Sequence, residues 1–174
     1  VAPLLGNDKY LDIIANPINT DKIAVIENKI ADKIVIFLGI NTGNSYKKGI
    51  PFFEKAVAII QEKYKNKIEI IVTKNIPYSD YQKHFEKAHI LLDQVYGFDQ
   101  GFNALEAMAK GKVVFTGAES EFLQHYNLQD NEVAINALPD VDYLVEKLSY
   151  LIDNPKEIER IGKNAIQFIQ KEHH

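Results

Sequence analysis

The chain has 174 residues, 46% of them hydrophobic and 25% charged, with a formal net charge of −4 and no cysteine. That much apolar matter builds a core and excludes disorder as the main state. The acidic balance argues against a nucleic-acid partner, and the lack of cysteine excludes a disulfide framework, a thiolate metal site and a thiol nucleophile.

The length suits one domain with a small appendage. The longest apolar runs, such as Ile34–Leu38, are far too short to span a membrane. The start, Val1-Ala-Pro-Leu-Leu, carries neither an initiator Met nor a leader pattern, so a fragment or processed form located in the cytoplasm is expected. Arg160 is the only arginine, so bidentate guanidinium clamps on phosphate are scarce. The abundance of Ile, Lys and Asn suggests an AT-rich bacterial coding bias.

In chain order, residues 1–33 read as an N-terminal extension or interdomain segment. Asn16-Pro17 and Asn19-Thr20-Asp21 are turn chemistry, and Ile23, Ile26 and Ile30 suit one face of a short helix. From residue 34 the pattern becomes regular. Ile34–Leu38 is an unbroken apolar run, the mark of a strand buried on both faces. A loop follows from Gly39. Pro51 opens a helix with Phe53, Val57, Ile60 and Tyr64 on one face.

The alternation continues with a strand at Ile68–Val72, a helix at Tyr78–Ala88 and a strand at Ile90–Leu92. A helix at Phe102–Lys110 is stopped by Gly111. Strands are expected at Lys112–Thr116 and Glu132–Ile135, with a helix at Ser120–Tyr126 between them. Two helices close the chain. The second is expected to start with Asn154 as cap, Pro155 at its first position and Glu157 closing a capping box. Strands and helices in alternation give a Rossmann-like α/β domain over residues 34–174, a parallel sheet with helices on both faces. Loops 39–49, 73–77, 93–101 and 117–120 then meet at the carboxyl ends of the strands, where such sheets bind ligands.

The richest segment runs from Asp93 to Phe115. A strand ends, a Gly-bearing loop follows, and a helix opens near Gly101, whose free amides and dipole suit an anion. Glu106 lies too deep in that helix to cap it. Its carboxylate suits two hydroxyl donors, as a ribose offers, but the helix pattern by itself favours a surface position on an amphipathic helix. Lys48, taken by itself, reads as a solvated loop lysine. Asp93, at a strand end, suits either a ligand contact or a structural role. His84, His89 and His125 are scattered and read as structural, and no metal site is expected. No function is assigned to the terminal His173-His174.

Gly97-Phe-Asp-Gln-Gly-Phe-Asn-Ala-Leu-Glu-Ala-Met-Ala-Lys-Gly-Lys-Val-Val resembles the signature of retaining family 4 (group 1) glycosyltransferases of the GT-B fold. Other stretches agree in order: Asn16–Asp21 just before the donor domain, Gly39 with Tyr46-Lys47-Lys48-Gly49, Thr116–Glu121, and Asp153-Asn154-Pro155 with the last helix. The resemblance implies a donor-binding, C-terminal half-enzyme that holds a nucleoside-diphosphate sugar without a metal or other cofactor. Glu106 would hold the ribose, and Gly101, Phe102 and Asn103 would offer backbone amides to the diphosphate. Lys48 would put an ammonium on the same diphosphate, with Lys47 as its rival. Gly39 would belong to the glycine loop, and Ile76 would wall the nucleobase. Asp99 and Gln100 would complete the candidates at the helix entry, and the resemblance implies Lys48 and Glu106 as the catalytic pair.

Two positions depart from the family pattern. Phe98 stands where the family has a second Glu, eight residues before Glu106, and Asp99 is one step off. Ile40, Asn41 and Thr42 stand where it has an Arg after the first glycine. The resemblance also implies transfer of a hexose-type sugar in bacterial polysaccharide or glycoconjugate biosynthesis. It further implies a preceding acceptor-binding domain, through which peripheral association with the inner face of the membrane would occur. A non-catalytic nucleotide-sugar-binding module and an epimerase of the same fold are the alternatives.

Overall fold

The computed structural model describes residues 14–174; the start of the N-terminal extension lies outside the described residues. Five strands form one sheet: β1 (Ile34–Ile40), β2 (Ile68–Lys74), β3 (Ile90–Leu92), β4 (Val113–Thr116) and β5 (Ile135–Asn136). They lie in the order β2-β1-β3-β4-β5, and every pairing is parallel. The helices are α1 (Ser45–Lys48, a single turn), α2 (Ile50–Lys63), α3 (Tyr78–Lys87), α4 (Phe102–Ala109), α5 (Ser120–Tyr126), α6 (Val141–Asp153) and α7 (Pro155–Glu172). The expected Rossmann-like α/β class is thus what the chain adopts.

The apolar run in β1 explains the layering. Alternate side chains of a strand point to opposite faces. Ile34, Ile36, Leu38 and Ile40 pack with Phe53, Val57 and Ile60 of α2 and with Leu144, Leu148 and Leu151 of α6. Phe37 points the other way, into a second cluster with Leu105 and Met108 of α4, Phe122 of α5 and Phe168 and Ile169 of α7. Each face of the sheet is therefore sealed by helices, as continuous apolar strands require.

Gly111 ends α4 at φ +84°, a conformation that disfavours side chains. Lys112 follows, fully buried, and its ammonium donates to the Glu86 and Ala88 carbonyls at the end of α3. Burial pulls its pKa down to about 8.

Three local expectations are corrected. Residues 23–30 form no helix; the only helical turn nearby is Thr20–Lys22. The segment instead lies against the domain, with the Ile26 N–H donating to Lys110 O and Asn28 Nδ2 to His89 O. The last strand starts at Ile135 rather than Glu132. A turn with Asn131 at φ +57° occupies the earlier residues, closed by Glu132 accepting from the Gln129 N–H. Asn154 makes no side-chain cap to α7. It also ends α6, and its amide donates back to Tyr150 O, while Glu157 turns to Arg160 instead of closing a box. Pro155 does sit in the first turn of α7, as expected.

Candidate functional site

In this strand order the winding reverses beside β1, and a crevice opens at the carboxyl ends there. It holds a cavity of about 360 Å³. Gly39 and Ile40 at the end of β1, Asn41 and Asn44 after it, Thr73 near the end of β2, and Asn75 and Ile76 after it line the cavity together with Lys48, Tyr78, Tyr81 and Asn103. Four of the candidates read from sequence, Gly39, Lys48, Ile76 and Asn103, thus share one cavity. Lys47 is exposed and outside it, so the chain places Lys48, not its neighbour, at the cavity.

The floor of the site is a polar chain. Lys48 Nζ lies 2.6 Å from Asp93 Oδ1. Asn103 Nδ2 donates to the same oxygen at 3.1 Å, and Thr116 Oγ1 donates to Asp93 Oδ2 at 3.4 Å. The Tyr81 hydroxyl donates to Asn103 Oδ1 at 2.7 Å, which fixes which way the Asn103 amide faces. The Asp93 side chain is 1% exposed and that of Lys48 33%. A carboxylate so deeply buried demands these partners. Burial also holds the Tyr81 hydroxyl well above its usual pKa, so it remains a neutral donor.

Local backbone requirements put these groups in place. Gly49 adopts φ +64°, and a Cβ there would collide with Val95. Its left-handed turn separates α1 from α2 and leaves Lys48 beside the end of β3, with Lys48 O accepting from the Val95 N–H. Gly39 serves a neighbour as well as the cavity, because a Cβ there would strike the Tyr81 ring. That ring packs on Phe37 at 5.1 Å between centroids and stacks beside Tyr78 at the cavity wall.

Helix α4 begins after Gly101 with no side chain capping it. Its first-turn amides have no intrahelical acceptor and carry partial positive charge. At Gly101, φ is −80°, and a Cβ would meet nothing within 4 Å, so neither backbone nor packing demands glycine there. The loop before it is anchored differently. Gln100 is buried, and its amide donates to Gly117 O at 2.5 Å. Asp99 is exposed, and its carbonyl accepts from Gln94 at 3.1 Å. Phe98 is 80% exposed and Phe102 60%. Glu106, half-buried one turn beyond Asn103, has Lys110 at 4.0 Å, and Lys110 also pairs with Glu86. Glu106 thus lies next to the cavity residues on α4, outside the cavity lining itself.

Of the expected loops, 39–49 and 73–77 line the cavity, and Asn103 extends it from the end of 93–101. Loop 117–120 instead packs on that third loop, since a Cβ at Gly117 would collide with Gly97 O. Asp93 emerges as the central polar group of the site; its only sequence signal is its place at the carboxyl end of a buried strand. Tyr81 and Tyr78 carry no motif that marks them as site residues, whereas Asn41, Asn44, Thr73 and Asn75 fall in loops expected to meet here without being singled out. His89 is structural: its Nδ1 accepts from the Val35 N–H at 2.9 Å, its Nε2 faces Lys29 O, and burial lowers its pKa. His173 is buried, with Nδ1 2.9 Å from Asn16 O. Among the described residues, no group of three acidic or histidine side chains is arranged to hold a metal ion, and no helix is long and apolar enough to cross a membrane.

Residues 45–174 match the protein family described as glycosyl transferase-like. No curated protein matches the chain. Solved structures share its fold. Sucrose-phosphate synthase from Thermosynechococcus elongatus aligns with TM-score 0.66 and 17% identity, over 92% of this chain and 48% of the other. The C-terminal domain of a glycosyl transferase group 1 family protein from Francisella tularensis aligns with TM-score 0.58 and 17% identity, over 89% of this chain and 93% of that domain. UDP-GlcNAc 2-epimerase from Neisseria meningitidis, bound to UDP-GlcNAc, aligns with TM-score 0.51 and 15% identity, over 80% and 44%. The chain therefore spans about half the length of the synthase and less than half of the epimerase.

Proposed function

Because the chain belongs to the glycosyl transferase-like family, we propose that it is the donor-binding half of a retaining GT-B glycosyltransferase that holds a nucleoside-diphosphate sugar in the cavity beside β1. The observation that carries this reading is the convergence of Lys48 and Asn103, at the mouth of α4, on one cavity at the carboxyl ends of the strands. The diphosphate lies between the Lys48 ammonium and the first-turn amides of α4. Gly101, which packing leaves open, lets it approach the backbone. Ile76 and Tyr78 wall the nucleobase, and Glu106 takes the ribose hydroxyls.

Breaking the bond between sugar and phosphate places negative charge on the departing nucleoside diphosphate. Fixed amides stabilise that charge without reorganising, and the Lys48 ammonium adds its charge once it is on the diphosphate. The reading needs no metal. The sugar is of the hexose type, and the acceptor is bound by a preceding domain that closes the cleft; transfer serves bacterial polysaccharide or glycoconjugate synthesis at the cytoplasmic side of the membrane. Positioning donor against acceptor supplies much of the rate, so these residues alone bind but do not transfer.

The test is a thermal-stability screen of UDP, GDP and ADP in EDTA, followed by magnesium or manganese. Stabilisation by one nucleotide in EDTA supports the reading, and an absolute need for a divalent ion contradicts it. Phe98, in place of a polar sugar contact, favours a second reading as a non-catalytic nucleotide-sugar-binding module; the full-length protein would then bind donor and never turn it over. An epimerase would release an isomerised nucleotide sugar with no acceptor present.

A further inference from the structure

The cation that faces the cavity is already paired. Among the described residues, Lys48 is the only charged side chain lining the cavity, and its Nζ lies 2.6 Å from the buried carboxylate of Asp93. The only arginine, Arg160, is on α7, bound to Glu157 and to Asn131 O. A diphosphate entering this cavity therefore meets an ammonium whose charge is largely cancelled by a group behind it.

Asp93 is also equipped to let the ammonium go. Its Oδ1 keeps the Asn103 amide at 3.1 Å, held in that orientation by Tyr81, and its Oδ2 keeps the Thr116 hydroxyl at 3.4 Å. Lys48 is the partner that water reaches, and it has three N–H donors on a flexible stem. Resting on the nucleotide-binding reading, we propose that Asp93 is an internal competitor for Lys48. The free protein keeps the pair closed, and an incoming diphosphate takes over the ammonium while Asn103 and Thr116 retain the carboxylate. Asp93 is thus a positioning residue that lowers the affinity for the diphosphate, and with it the retention of a spent donor. Purely structural support predicts the opposite sign, since loosening the floor of a site only weakens binding.

The experiment compares UDP, GDP, ADP, inorganic pyrophosphate and the three bare nucleosides on the wild-type chain and on Asp93→Asn, which keeps the shape and removes the charge. With one competing charge gone at close range, the diphosphate that binds should bind about tenfold more tightly, and the nucleoside should be unchanged. In a Lys48→Gln background the same gain should vanish. Diphosphate affinity that is unchanged or weaker in Asp93→Asn overturns the proposal, and so does an equal gain without Lys48, which would mean simple repulsion. Should Asp93→Asn fail to fold, Thr116→Val answers the question from the other side. It removes one of the carboxylate's other partners outside the cavity lining, so diphosphate should weaken severalfold with the nucleoside unaffected, and only where Lys48 is present; no change, or an equal loss in a Lys48→Gln background, overturns the proposal. A wild-type chain that takes up none of the probes contradicts the nucleotide reading and this inference with it. Binding that ignores Asp93 and Thr116 contradicts the inference alone.

Discussion

Lys48→Ala should destabilise the fold, although Lys48 ends the single turn of α1 and is one-third exposed. The reason is the partner it leaves behind. The Asp93 side chain is 1% exposed, and its closest partner is the ammonium at 2.6 Å. Removing one member of a fully buried pair typically costs about 3–5 kcal/mol, because the remaining charge is stranded. Here the cost is smaller. The outer end of the pair already faces water, and Asn103 and Thr116 still donate to the carboxylate. A loss of about 2–3 kcal/mol remains, a substantial part of a total stability of about 5–15 kcal/mol. In urea unfolding the midpoint should fall by about 1 M at an unchanged slope. Adding Asp93→Asn to Lys48→Ala should restore more than half of the loss, since no buried charge is then left unpaired. A single variant within about 0.5 kcal/mol of wild type, or a double variant no better than the single, would refute the reasoning.

Glu106→Gln should leave folding intact, because Glu106 is half-buried and its contact with Lys110 is long, yet it should weaken nucleoside diphosphate binding by about 1–3 kcal/mol in calorimetry; unchanged affinity would remove Glu106 from the site. Lys112 sets a pH dependence. Its pKa is about 8 in the folded chain and 10.5 ordinarily, so the folded state holds fewer protons between those values and stability rises with pH there. From pH 8 to 9.5 the gain from this group should be about 1–2 kcal/mol in denaturant unfolding, and Lys112→Met should flatten the slope. A slope that persists in the variant would assign it to another group.

The architecture was legible because it is encoded locally. The apolar run at Ile34–Leu38, the spacing of Phe53, Val57 and Ile60, and Gly111 after α4 each depend on neighbours within a few residues, and the observed elements follow them closely. The misreadings occur where a distant partner decides. Ile23, Ile26 and Ile30 fit a helical spacing, but the segment donates its hydrogen bonds to the Lys110 and His89 carbonyls. Asn154 has the chemistry of a cap, but it sits between two helix ends and serves the earlier one. The site divides in the same way. The glycine-bearing loop and the start of α4 are visible as a motif, whereas the chain from Tyr81 through Asn103 and Asp93 to Lys48 joins three helices to a strand end, and no spacing along the sequence reveals it. Gly39 shows why a motif residue alone is ambiguous: its missing side chain makes room for Tyr81 as well as for the cavity.

The central claim is that this cavity holds a nucleoside diphosphate. The most direct measurement is the thermal midpoint of the chain in EDTA with UDP, GDP or ADP at about a hundredfold over the dissociation constant, where binding adds about 2.7 kcal/mol. For a chain of this size that corresponds to a rise of about 5–10 °C. The account predicts such a rise for at least one of the three, smaller for the matching nucleoside and reduced in Glu106→Gln. No shift with any of them, or a shift that requires a divalent ion, would contradict it.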